Sequence, residues 1–177
     1  MQNYLFTSDR LGFRNWTDSD LDALHEINSN PEVMRYFPTI LKKEQTLDFI
    51  HRMQKQFNEK ELCYFAVEII ETKEFIGFIG LSEQTYAADF NPSIDIGWRL
   101  HPSFWGKGYA TEGAKRCLEY GFSQLKLKEI VSVAPIINTP SIIVMEKINM
   151  KKVKEFKHPL LGNFPKIEAC VLYKISD

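Results

Sequence analysis

Gly106 and Gly108 stand two residues apart in Trp105-Gly106-Lys107-Gly108-Tyr109-Ala110-Thr111-Glu112, at the junction of two hydrophobic periods. Upstream, Ile94, Ile96, Trp98 and Leu100 alternate with Asp95, Gly97 and Arg99, the period of a strand. His101-Pro102 ends that strand, because proline cannot donate to a ladder and biases its predecessor. Downstream, Ala110, Ala114, Cys117, Leu118 and Gly121 fall at helical spacing. A helix start carries N–H groups without partners and a partial positive charge, and glycine lets a ligand approach the backbone. Strand, glycine turn and helix N-terminus together make a seat for an anion, most naturally a phosphate or pyrophosphate. The turn is not a Walker loop, which needs G-x-x-x-x-G-K-[ST]. Nor is it a dinucleotide fingerprint, since Thr111 stands at the third glycine and the turn lies past mid-chain. An ordinary strand-to-helix connection with turn glycines fits the same few residues equally well.

The rest of the chain must position that turn. Residues 5–16 read as a first strand, and Thr17-x-x-Asp20 as a capping box that opens a helix carrying Leu21, Leu24 and Ile27. Asn30-Pro31 breaks it, and a short turn holds Val33, Met34, Tyr36 and Phe37 before Pro38. Residues 44–57 form the next helix, with Leu47, Ile50, Met53 and Phe57 on its core face. Residues 63–70 and 74–81 are β-rich runs around a short hairpin connection, and residues 87–92 a polar loop before the central strand. Residues 129–134 give another strand. Thr139 is the expected N-cap of a helix with Pro140 at its first position, ending at Asn149 in a left-handed conformation. Strands at 151–156 and 168–175 close the chain and pair across the loop at 157–166. The order β, α, α, β, β, β, α, β, α, β, β predicts an α/β (α+β) fold, with a mixed central sheet of about seven strands flanked by about four helices.

The sequence has 177 residues, the size of one domain, here residues 1–177. It holds 22 basic and 23 acidic residues for a net charge of −1, which points away from nucleic acid and from an anionic membrane as partners. Cys63, Cys117 and Cys170 are isolated in apolar patterns, and read as reduced core residues of a cytoplasmic protein with no metal site. No signal peptide or membrane-length apolar run is expected.

The glycine turn resembles the acyl-CoA-binding motif of the GNAT acetyltransferase superfamily, [QR]-x-x-G-x-[GA]. Gly108 and Ala110 match it, with Trp105 in the Gln/Arg slot. Trp-Gly-x-Gly-Tyr-Ala-Thr-Glu, together with Asn138-x-x-Ser141 and Val144-Met145-Glu146-Lys147 downstream, is similar to the branch of ribosomal-protein N-terminal (alanine/serine) acetyltransferases. The likeness runs in order along nearly the whole chain. It implies a GNAT fold in which the strands at 94–100 and 129–134 splay apart around the pantetheine arm of acetyl-CoA. It also implies transfer of an acetyl group to a primary amine without an acyl-enzyme intermediate.

From that resemblance, Gly106, Lys107, Gly108, Tyr109, Ala110 and Thr111 are expected to hold the pyrophosphate, and Asn138 to meet the pantetheine arm. A backbone amide near Leu100 is expected to face the thioester oxygen, and Ser141 to donate to the leaving thiolate. Tyr36 and Phe37 are expected to wall the acceptor pocket, with Glu83 a further acceptor contact. Asp95, Glu155 and His158 are candidates for the general base, with Glu83, at the end of the preceding strand, a further one. Glu112, in the first helical turn, reads as structural, and Lys147 as covering the end of its helix. The attacking amine must be neutral. A lysine of pKa about 10.4 is neutral in roughly one molecule in two thousand at pH 7, an N-terminal α-amine of about 7.7–8.0 in about one in ten. The expected acceptor is a protein or peptide N-terminal α-amine. A small-molecule amine (antibiotic, polyamine or amino acid) and a non-catalytic acyl-CoA-binding module are the alternatives. A homodimer is left open.

Overall fold

The computed structural model describes residues 4–177. The chain runs β1 (Phe6–Thr7), β2 (Leu11–Arg14), α1 (Leu21–Asn28), α2 (Pro31–Met34), α3 (Lys43–Lys60), β3 (Tyr64–Ile69), β4 (Phe75–Gln84), β5 (Ser93–Leu100), α4 (Tyr109–Ser123), β6 (Glu129–Pro135), α5 (Thr139–Lys147), β7 (Lys151–Lys157) and β8 (Ala169–Ser176). All eight strands join one sheet in the order β1-β2-β3-β4-β5-β6-β8-β7. Neighbours are antiparallel except β5 and β6, which are parallel.

The eighth strand comes from residues 5–16, which fold into a hairpin in place of one strand. Ser8 turns the chain by accepting the Leu11 N–H on Oγ at 3.2 Å, while its own N–H donates to Leu11 O at 2.9 Å. The fifth helix is α2, a single turn whose N-terminus is capped by Asn30 Oδ1, 2.9 Å from Glu32 N. As the residue pattern predicts, Asp20 closes the capping box by accepting the Thr17 N–H at 2.8 Å.

Both faces of the sheet are covered, so β4 is buried through most of its length. Gly113 and Gly121 of α4 lie against Ile79 and Leu81 on one face. On the other, Phe49 of α3 packs tilted on Phe78 at 5.2 Å and edge-on to Trp16 at 5.7 Å. Those rings set the rotation of α3: Thr46, Phe49, Ile50 and Met53 are buried, whereas the expected Leu47 and Phe57 are only partly so. At α5 the N-cap is Asn138, one residue earlier than expected, because its Oδ1 accepts the Ser141 N–H at 3.3 Å. Asn149 adopts the left-handed conformation, φ 65°.

The central feature is a gap. β4 and β5 pair over eight residues and β6 and β8 over seven, but β5 and β6 meet only at Asp95↔Val131. Past that point the two parallel strands diverge, and Ser132 Oγ takes over the Ile96 carbonyl at 2.9 Å.

Candidate active site

The glycine turn closes the wide end of the gap. Trp105 Nε1 donates to Leu100 O at 2.8 Å, tying the turn to the strand it follows. Gly106 and Gly108 have φ of 72° and 81°, a region side chains enter at a cost. A Cβ on Gly106 would find nothing within 4 Å, and one on Gly108 would meet only Arg10 Nη2 at 3.5 Å. The space above these glycines is thus open, as a ligand approaching the first-turn N–H groups of α4 requires.

The β1–β2 hairpin braces this turn. Glu112 Oε1 accepts from Ser8 Oγ at 2.7 Å and Arg10 N at 2.8 Å, and Oε2 pairs with Arg10 Nε at 2.6 Å. Burial pushes the Glu112 carboxyl up, but these bonds outweigh it and hold the group below its ordinary value. Arg10 also donates to Lys107 O at 3.2 Å and stacks on Tyr109 at 4.4 Å.

Two cavities open on this region. One, of about 440 Å³, runs from Gly106, Gly108, Tyr109, Ala110 and Thr111 to Leu100, with Arg35 and Lys147 in its wall. The other, of about 420 Å³, lies on the far side and is lined by Tyr64, Gln84, Tyr86, Asp95, Ser132 and His158 among others. They share Tyr36, Phe37, Trp98, Arg99, Asn138 and Ser141. A group carried in one cavity therefore meets a group carried in the other beside Ser141 and Trp98.

Strand register decides which backbone donors face that meeting point. His101 N bonds to Ile76 O at 2.9 Å, and residues of an antiparallel strand alternate their bonding side. The odd-numbered amides of β5 are thus spent on β4, and those of Trp98 and Leu100 turn toward the gap. Trp98 borders both cavities, whereas Leu100 borders only the first. Of these two residues, Trp98 stands where the cavities meet, and Leu100, the expected one, lies one bonding step further on in the first cavity.

Asp95 is the carboxylate in the second cavity. Tyr64 donates its hydroxyl to Asp95 Oδ1, and Gln84 Nε2 lies 3.3 Å from the same oxygen and 3.2 Å from the Tyr64 hydroxyl. Burial raises Asp95 to about 6, the two hydrogen bonds only partly opposing it. Burial also lifts Tyr64 well above its ordinary value, so it remains a donor at neutral pH.

The other base candidates are less well equipped. His158 lines the second cavity, but its Nδ1 accepts the Leu160 N–H at 3.2 Å and burial lowers its pKa. The neutral ring then carries its proton on Nε2 and offers a donor. Glu155 pairs with Lys152 at 2.6 Å on the surface, and Glu83 pairs with Lys60; neither lines either cavity. Tyr36 and Phe37 wall both. Sequence reasoning passed over Tyr64, Gln84, Trp98 and Arg99. For Arg99 a signal existed: it shares the period-2 face of Asp95 on a strand otherwise apolar or small.

A family model described as the acetyltransferase (GNAT) domain matches residues 10–151. The chain is 33% identical over 156 residues to the uncharacterized N-acetyltransferase YnaD of Bacillus subtilis, with 85% of each chain covered. It is 26% identical over 144 residues to a spermidine N(1)-acetyltransferase of Escherichia coli, covering 81% of this chain and 74% of that one. Among solved structures, a GNAT-family acetyltransferase from Bacillus anthracis superimposes with a TM-score of 0.80 at 31% identity, over 96% of both chains.

Proposed function

The chain belongs to the GNAT acetyltransferase family, and we propose that the amine it acetylates is an α-amine, that of a protein or peptide N-terminus. It is an N-acetyltransferase that uses acetyl-CoA. The reading of the acceptor rests on Asp95, whose carboxyl titrates near 6 in the wall of the second cavity. Drawing a proton from an α-ammonium of pKa about 7.7–8.0 onto such a group is uphill by about 2 units, roughly 2.5 kcal/mol. A lysine-type ammonium of about 10.4 would ask for about 6 kcal/mol. Asp95 is thus a base matched to the first acceptor and poorly matched to the second.

In this account the coenzyme lies along the first cavity with its diphosphate over Gly106–Ala110, and Arg35 and Lys147 add positive charge. The neutral amine attacks the thioester carbon from the second cavity. The Trp98 N–H, and that of Leu100 behind it, faces the developing oxyanion, a donor contributing about 3–4 kcal/mol. Ser141 gives the departing thiolate a hydrogen bond. A full proton transfer from serine is not needed, since a thiol of pKa about 8.5 leaves readily. Transfer is direct. Cys170, the cysteine lining the second cavity, donates to Ile167 O and burial pushes its thiol up to about 11, so it is not an available nucleophile at neutral pH.

The test compares a peptide with a free α-amine against the same peptide α-blocked with a free lysine, each with acetyl-CoA and thiol release as readout. The free α-amine is expected to react at least about tenfold faster in kcat/KM, given the gap in amine pKa. Equal rates, or faster reaction at lysine, refute the α-amine reading.

A further inference from the structure

Arg99 is the charge near the reacting centre for which acetyl transfer has no use. It lines both cavities and, with Asp95, is one of the two side chains of fixed charge type in the wall of the second. Its Nη1 donates to Asn28 Oδ1 at 2.6 Å, and Asn28, fully buried, donates from Nδ2 to the fully buried Thr46 Oγ1 at 3.3 Å. The guanidinium lies 4.2 Å from the centre of the Phe37 ring and 5.2 Å from that of Phe78. This is a built mount, with α1 and α3 both contributing to it. Yet Arg99 Nε is closed off from solvent with no hydrogen-bond partner, and among the described residues Arg99 forms no ion pair with a carboxylate. Burial lowers the group only to about 10, so it stays a cation at neutral pH.

A partly buried cation that lines both cavities and has no carboxylate beside it is arranged to take an oxygen from outside the protein. We propose that Arg99 determines acceptor specificity by binding an oxygen of the acceptor molecule close to its amine: the carboxylate of a free amino acid or the first main-chain carbonyl of a peptide. The inference rests on the α-amine reading and sharpens it. Asp95 and Arg99 sit on one face of β5, about 13 Å apart at the backbone for four strand residues. Between them Gly97 has no side chain, and the space above it belongs to the Tyr64 ring, 3.0 Å from where a Cβ would be. The two charges stand too far apart for one α-amine and its neighbouring oxygen to touch both, so an acceptor held at Arg99 passes its proton toward Asp95 through the Tyr64 hydroxyl or water. A polyamine, carrying several ammonium groups and no oxygen, would set a second cation against the guanidinium.

The experiment uses the full chain with saturating acetyl-CoA, thiol release as readout, and four acceptors: alanine, an alanine-initiated tetrapeptide, isopropylamine and spermidine. The wild type is expected to favour the better of the two oxygen-bearing acceptors over isopropylamine by about 10–100-fold in kcat/KM beyond what amine basicity alone gives, the range for a hydrogen bond to a charged group. Whichever of the two is preferred identifies the source of the oxygen. In Arg99→Gln that excess should vanish, mainly through KM, leaving only the preference set by amine basicity, and in Arg99→Lys, which keeps charge but not the fork, it should be intermediate. Circular dichroism on both variants separates loss of selectivity from loss of fold, and the lysine variant carries the test if the glutamine variant does not fold. A ratio unchanged in the variants, or spermidine preferred by the wild type, overturns the role of Arg99 while leaving acetyl transfer standing. Turnover of none of the four overturns the acceptor reading itself.

Discussion

Arg14 on β2 and Arg99 on β5 are both largely withdrawn from water, and the protein treats them in opposite ways. Arg14 is saturated: Nη1 and Nη2 grip Asp20 at 2.8 and 2.7 Å, and Nε meets Glu68 at 2.6 Å. Burial pulls its pKa down, but the two carboxylates more than reverse that and raise it. Arg99 has a neutral partner, an unspent Nε and a lowered pKa. The carboxylates repeat the contrast. Glu112 is closed off by Ser8 and Arg10 and held below its ordinary value, while Asp95 faces a cavity with its pKa raised by burial. Where the chain needs rigidity, charges are neutralised in place. Where it handles substrate, charges are left partly unmatched, and the surrounding packing bears the cost.

Breaking each side of the contrast should give different kinds of loss. The largest stability effect is expected from Arg14→Ala, which takes the cation away from both Asp20 and Glu68 and should cost about 3–5 kcal/mol in denaturant unfolding. Arg99→Gln leaves no carboxylate stranded and should cost about 1 kcal/mol. Equal losses at the two positions would erase the distinction.

Asp95→Asn comes next, with a fall in kcat/KM of about 100-fold. In the wild type activity should rise with pH through about 6 as Asp95 ionises, and again near 8 as the amine loses its proton. The variant should keep only the second rise. A profile that retains both limbs removes Asp95 from the base role.

Stability moves the other way. A carboxyl whose folded pKa exceeds its unfolded value holds its proton better when folded. Its stabilisation is complete below the unfolded value and is lost as pH climbs through about 6. Asp95→Asn should therefore unfold later than wild type at pH 8, by about 1–3 kcal/mol, with the difference shrinking toward pH 4. Glu112 has the opposite sign: its contribution is present above the unfolded pKa and fades as pH falls through the depressed folded one. The smallest effect is expected at Ser141→Ala, about tenfold in kcat with acetyl-CoA, since the thiolate departs without a strong acid. A loss as large as that of Asp95→Asn would make proton delivery, not proton removal, the demanding step.

The sequence disclosed the closed parts of this arrangement better than the open ones. The glycine turn, the strand before it and the helix after it are local features, carried by period and by residues suited to positive φ. Glu112 was legible as structural from its place in the first helical turn, but its partners Ser8 and Arg10, far away in sequence, were not. Helix phasing was less legible, because the face of α3 is set by Trp16 and Phe78, which are distant in sequence. The second cavity is assembled from β3, β4, β5, β6 and the loop after β7, so nothing near Tyr64 or Gln84 in the sequence marks them. Glu83 and Glu155 looked as eligible as Asp95 on residue type, and only their ion pairs with Lys60 and Lys152 set them apart.

A CoA conjugate whose sulfur is joined through an acetyl bridge to the α-nitrogen of an alanine peptide spans both cavities in one molecule. Calorimetry with this conjugate and with CoA alone tests the junction at Trp98 and Ser141 directly. The expected result is binding at least about 100-fold tighter for the conjugate, with both ligands lost in Gly108→Val while that variant stays folded. A conjugate that binds no tighter than CoA, or unchanged CoA affinity in Gly108→Val, would contradict the two-cavity account.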